Sequence, residues 1–196
     1  MPVEHTVMSD RIQAGTFLLA AAITRGDIVV ENIMPEHLFS VIDKLKDIGA
    51  QITTGNNCIR VKAGDLRGVD IKTLPYPGFP TDLQAPLLSL LTIAAGTSII
   101  TETIFENRFK HVNELIRMGA KIKVEGRTAI IRGMPKLTGA IVAATDLRAG
   151  GALVLAALAA EGISEIENVY HIDRGYDRLE EKLQILGATI SRCRMG

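Results

Sequence analysis

Three aspartates recur at matched offsets along this sequence, and three arginines accompany them, two of which share an offset. Asp10, Asp82 and Asp146 each open an almost wholly apolar stretch. Arg108 stands twelve residues after Gly96 and Arg174 twelve after Gly162, where Leu38 holds the same offset from Gly26. Arg148 lies two residues past Asp146, where Ile12 and Gln84 follow the other two aspartates. Guanidinium groups gathered beside helix N-termini suit a phosphate or carboxylate ligand. Taken singly, each arginine could instead be a surface ion-pair partner, Arg174 of Asp173 or Asp177 and Arg108 of Glu106. Asp82 ends the stretch Pro77-Gly78-Phe79-Pro80-Thr81-Asp82, a stiff turn that fixes the direction of its carboxylate. Fixed direction is what a general base needs. At a helix N-terminus that base would be weak, so its substrate must become acidic during the reaction. The plainer alternative is that all three aspartates serve only as N-caps.

Other chemistry is sparse. The sequence has no GxGxxG after a strand and no Walker motif. Ala149-Gly150-Gly151-Ala152 reads as a close-packing site in a buried helix rather than as an anion-binding loop. His5, His37, His111 and His171 show no HxxxH or HExxH spacing, so no metal site is expected. Cys58 and Cys193 have no CxxC partner, which argues against a disulfide framework or a zinc knuckle and for two inert thiols on strand-like runs. Basic and acidic side chains balance at 22 each, which excludes a nucleic-acid arm and a polybasic membrane patch. The most apolar run, Ala149 to Ala160, is too short to span a bilayer, and the first ten residues lack a signal pattern. A cytoplasmic protein is expected.

The elements that must position these residues repeat three times. Each unit has an apolar run from Asp to Gly (Asp10 to Gly26, Asp82 to Gly96, Asp146 to Gly162), a short Ile/Val-rich strand, an amphipathic helix and a closing Gly-Ala. The apolar runs read as helices with Asp at the N-cap and Gly at the C-cap, buried on every side. Leu38, Val41, Ile42, Leu45 and Ile48 form the stripe of the first amphipathic helix. After Gly-Ala comes a strand-like run, and the first two units turn back at Gly55-Asn56-Asn57 and near Glu125-Gly126-Arg127. The fold expected is α/β (α+β): one domain over residues 1–196, built as α-β-α-β-β units over about 10–78, 79–145 and 146–196, helices inside and sheets outside. The third unit stops at Arg192-Cys193-Arg194-Met195-Gly196 without its hairpin. It should therefore leave a strand edge unpaired, with the missing strands supplied from elsewhere.

The stretches FPTDLQAP (79–86), TETIFENRF (101–109), ATDLRAGGALVLAALAAEG (144–162) and YHIDRGYDRLEEKL (170–183) resemble the UDP-N-acetylglucosamine enolpyruvyl transferases, the 1-carboxyvinyltransferases that begin peptidoglycan synthesis. The likeness runs from about Glu4 onward. It implies an inside-out barrel of three repeats and a reaction that needs no metal or cofactor. The enolpyruvyl group of phosphoenolpyruvate passes to the 3-hydroxyl of UDP-N-acetylglucosamine, through a tetrahedral ketal, with release of phosphate. It implies that Asp82 takes the hydroxyl proton and that Thr81 and Ile104 lie near the UDP-sugar. Arg108, Arg148 and Arg174, with Asp146 beside them, would surround the phosphate and carboxylate groups, Asp82 and Arg174 being catalytic. The family's other domain, with a catalytic lysine and a loop cysteine, is an expected partner, and this chain alone is expected to be inactive. Neither Cys58 nor Cys193 lies in such a loop. Two alternatives stay open: a non-catalytic repeat module for an anion or a partner protein, and the shikimate-pathway enolpyruvyl transferase, which HIDRGYDR does not resemble.

Overall fold

The computed structural model describes residues 3–193, so Met1-Pro2 and the last residues of the third unit, 194–196, lie outside the described residues. In the first unit α1 (Arg11–Ile23) leads to β1 (Asp27–Glu31), α2 (Phe39–Ile48) and the hairpin β2 (Gln51–Gly55) and β3 (Cys58–Lys62), followed by the short β4 (Ile71–Lys72). The second holds α3 (Gln84–Leu91), β5 (Thr97–Thr101), α4 (Val112–Arg117), β6 (Lys121–Glu125) and β7 (Thr128–Arg132), then β8 (Leu137–Thr138) and β9 (Ile141–Ala143). The third holds α5 (Leu147–Ala159), β10 (Ala160–Glu161), β11 (Glu165–Glu167), α6 (Tyr170–Asp173) and α7 (Leu179–Ile185).

Helices α1, α3 and α5 pack against one another in the middle. All eight residues of α3 are buried, and its Ser89 hydroxyl donates to the Ala152 carbonyl of α5 at 2.8 Å. Strand alternation turns Ile59 and Val61 of β3, and Ala129 and Ile131 of β7, onto this core. The hairpins extend into β1-β3-β2 and β4-β5-β7-β6, and each linking segment pairs in parallel with the next unit: β4 with β5, β8 with β10, β9 with β11. Among the described residues, no helix is long and apolar enough to cross a membrane.

Several expectations hold at the level of single caps. Asp10 Oδ1 accepts from the amides of Ile12 and Gln13 at 2.7 and 3.2 Å, and Asp146 Oδ1 from those of Arg148 and Ala149, both at 2.9 Å. Gly49, Gly119 and Gly187 all take positive φ, and the alanine after each donates back to Leu45, Leu115 and Leu183.

Others are corrected. Asp82 is not a cap: Pro80 precedes a 3-10 turn, Thr81–Leu83, and the Asp82 carboxylate makes no cap bond. Arg25, not Gly26, holds the left-handed position after α1, and α3 ends at Leu91, well short of Gly96. The last turn of α5 is only half-buried, so the third inner helix is not enclosed on every side by described residues. Its amphipathic helix is broken into α6 and α7 at Arg178, which has φ 45°. Residues 188–193, including Cys193, form no strand, because no second arm among the described residues pairs with them.

Candidate active site

Three segments meet at Asp82. The 3-10 turn presents the carboxylate, the loop after β5 brings Arg108, and the first turn of α5 brings Arg148. Arg108 Nη2 donates to Oδ1 at 2.6 Å and Arg148 Nη2 to Oδ2 at 3.0 Å. The side chains are 22% and 16% exposed for the arginines and 37% for Asp82, so the cluster is partly buried. Arg108 lies over the Phe105 ring at 5.1 Å, and Arg148 over Tyr176 at 5.9 Å. Burial opposes the charge on Arg148, yet Asp82 and Tyr176 outweigh it and push its pKa above the usual arginine value.

Tyr176 brings in the third element. It is fully buried, its hydroxyl 3.0 Å from that of Thr16 on α1, and the Gln13 amide donates to the Gly175 carbonyl at 3.1 Å. Thus a chain of contacts from Asp82 through Arg148 and Tyr176 to Thr16 joins all three units.

Thr81 and Ile104 are joined through Glu102. This carboxylate is 1% exposed and accepts from the hydroxyls of Thr73 at 2.8 Å and Thr81 at 2.9 Å. It also accepts from the amides of Ile104 at 2.8 Å and Phe105 at 3.2 Å. Four donors make burial of a charge tolerable. Asp146 stays at its cap, near His111, which is 1% exposed with its Nε2 unpartnered among the described residues. Burial drives the His111 pKa down to about 4; Asp146 pulls upward and Arg108 downward.

Arg174 touches neither Asp82 nor the other two arginines. It is exposed at the C-terminal end of α6, two residues before Tyr176, and its side chain makes no ion pair among the described residues. Neither loop arginine pairs with the acids next to it in the chain, and Arg108 pairs with Asp82 instead. Glu106 binds Arg127 at 3.0 Å, Asp173 binds Arg192, and Asp177 faces Arg178 and Lys182.

Glu102, His111, Tyr176 and Thr16 were not among the expected site residues. The first two carried a signal. Glu102 continues the inward alternation of Ser98 and Ile100, and His111 continues the buried stripe of Leu115 and Met118.

Helices enclosed by repeated hairpins, with arginines converging from loop and helix start, define an enolpyruvyl transferase fold. Residues 1–183 match the family model described as EPSP synthase (3-phosphoshikimate 1-carboxyvinyltransferase), and the chain belongs to that family. A UDP-N-acetylglucosamine 1-carboxyvinyltransferase of Caldanaerobacter subterraneus is 60% identical over 96% of this chain and 46% of the relative. The protein of that name from Desulfofundulus thermocisternus is 56% identical over 97% of this chain and 79% of its own length. Among solved structures, the enolpyruvyl transferase NikO from Streptomyces tendae has a TM-score of 0.88 at 29% identity, covering 97% of this chain and 46% of that one. EPSP synthase from Acinetobacter baumannii has a TM-score of 0.78 at 24% identity over 96% of this chain and 48% of its own, a likeness of fold alone. The chain spans about half the length of most of the curated relatives it matches.

Proposed function

We propose that this chain carries the Asp82 side of a UDP-N-acetylglucosamine 1-carboxyvinyltransferase active site. The observation that carries this is the Asp82 carboxylate held between Arg108 and Arg148, at 2.6 and 3.0 Å. In the reaction the sugar 3-hydroxyl oxygen bonds to C2 of phosphoenolpyruvate as C3 gains a proton. As C2 becomes cationic the hydroxyl becomes acidic, and Asp82 accepts its proton. The resulting ketal then expels phosphate, and loss of a proton from C3 restores the vinyl group. Arg108 and Arg148 balance the phosphate and carboxylate charges, and Arg174, which has no ion pair among the described residues, supplies a third guanidinium. Asp146 fixes the start of α5 and hence the root of Arg148.

Thr81 donates its hydroxyl proton to Glu102, so it faces the sugar as an acceptor. Ile104, 37% exposed, offers an apolar contact beside it. The proton donor for C3 is proposed to lie in the part of the relatives' length that this chain does not span. A cytoplasmic setting goes with these substrates. The relatives at 55–60% identity favour this substrate over shikimate 3-phosphate.

The test is phosphate release by the enzyme that contains this chain. Asp82→Asn should lower turnover by about 10²- to 10⁴-fold, the usual contribution of a general base, while UDP-N-acetylglucosamine still binds. Turnover kept at the unsubstituted level would remove Asp82 from the chemistry and leave an anion-binding module.

A further inference from the structure

Arg174 has acidic neighbours that should neutralise it. Asp173 is adjacent, and Asp177 follows three residues on, in the break between α6 and α7. Neither does so. Asp177 is drawn toward Arg178 at 3.7 Å and Lys182 at 3.5 Å. Both oxygens of Asp173 are taken by one side chain from the segment after α7. Arg192 Nη1 donates to Oδ2 at 2.9 Å and Nη2 to Oδ1 at 2.6 Å. The same guanidinium reaches Glu180 through Nε at 2.7 Å and Nη2 at 3.2 Å. A planar fork that saturates two carboxylates is a geometry only arginine provides. The bond from Arg192 also lowers the Asp173 pKa.

The second unit shows the same device. Arg108 also has an acid nearby, Glu106, and a different arginine, Arg127 of the hairpin turn, holds it at 3.0 Å. In both units an arginine from the segment after the amphipathic helix binds the acid beside the loop arginine. The units differ in what the loop arginine then does: Arg108 turns to Asp82, while Arg174 is left exposed.

We propose that Arg192 is a positioning residue: by engaging Asp173 it keeps Arg174 available to an anionic ligand. This rests on the reading of Arg174 as part of an anion site. Removing Arg192 frees Asp173 to pair with Arg174 directly.

The experiment measures the rate at which phenylglyoxal labels Arg174, read by peptide mass spectrometry, in the unsubstituted protein, Arg192→Ala, Asp173→Asn and the double variant. Arg192→Ala should slow labelling by about two- to fivefold, the range of an exposed ion pair. The double variant should return to the unsubstituted rate, and Asp173→Asn alone should not slow it. Arg192→Ala labelled at the unsubstituted rate, or a double variant as slow as Arg192→Ala, would overturn the proposal; the second result would make Arg192 a mere anchor for the chain end. Inorganic phosphate added to the unsubstituted protein tests the anion reading separately. If phosphate gives Arg174 no protection, that reading fails, while the comparison of variants still decides whether Arg192 keeps Arg174 unpaired.

Discussion

His111 lies behind the arginines with its Nε2 unpartnered among the described residues and almost no contact with solvent. The fold holds it neutral, with a pKa of about 4 against 6.5 in an unfolded chain. The sign of the linkage follows. Above pH 6.5 neither state binds the proton and stability is unaffected. As pH falls from 6.5 toward 4, the unfolded chain takes up a proton that the native imidazole refuses, and stability is lost. Urea unfolding at pH 7 and at about pH 4.5 should show a drop larger by about 2 kcal/mol for the unsubstituted protein than for His111→Asn. Equal drops would mean that His111 titrates normally. His111 and Glu102 escaped the sequence because they sit where apolar side chains belong, and their roles depend on partners distant in the chain. Arg108 and Arg148 were legible because repetition exposes a polar residue where a sister unit holds Leu38 or Ile12, and Asp82 because two prolines and a glycine stiffen the turn before it. What repetition did not reveal is that Asp82 itself would occupy the two arginines.

At the scale of elements, α5 shows how close packing positions the cluster. A Cβ on Gly150 would run into the Ile172 side chain, and one on Gly151 would meet the Tyr176 hydroxyl at 2.9 Å. The glycine pair is thus a packing face, as the sequence indicated, and it seats the ring on which Arg148 rests. Gly151→Ala gains roughly 0.5–1 kcal/mol of helix propensity but overpacks a rigid, buried tyrosine at about 1–3 kcal/mol. The expected outcome is net destabilisation by thermal or urea unfolding, together with loss of the Tyr176–Thr16 contact; an unchanged midpoint would show that Tyr176 relocates freely. The inner helices and the Gly-Ala endings were readable because burial and left-handed caps leave local marks. The 3-10 turn at Thr81–Leu83, whose side chains bond to the distant Glu102, Arg108 and Arg148, and the left-handed residue Arg178 left no such mark. The strand-like run 188–193 has the alternation of a strand but no described partner, and alternation without a partner does not make a sheet.

Across the whole molecule, the repeats define what each strand edge should carry. β5 is paired on both sides, by β4 and β7, whereas β1 pairs only with β3 and β11 only with β9 among the described residues. Hydrogen exchange should separate them. Amides of β1 pointing away from β3 should exchange far faster than the matching β5 amides bonded to β4; equal protection would mean that the β1 edge is covered in solution. The same assembly of repeats creates the cluster around Asp82. Asp82 and Arg108 come from the second unit, Arg148 and Tyr176 from the third, and Thr16 from the first. On the proposed function, ligand recognition would therefore be a checkpoint on completed tertiary architecture. A molten intermediate with every helix already wound would possess all the required side chains and still offer nowhere for a ligand to dock.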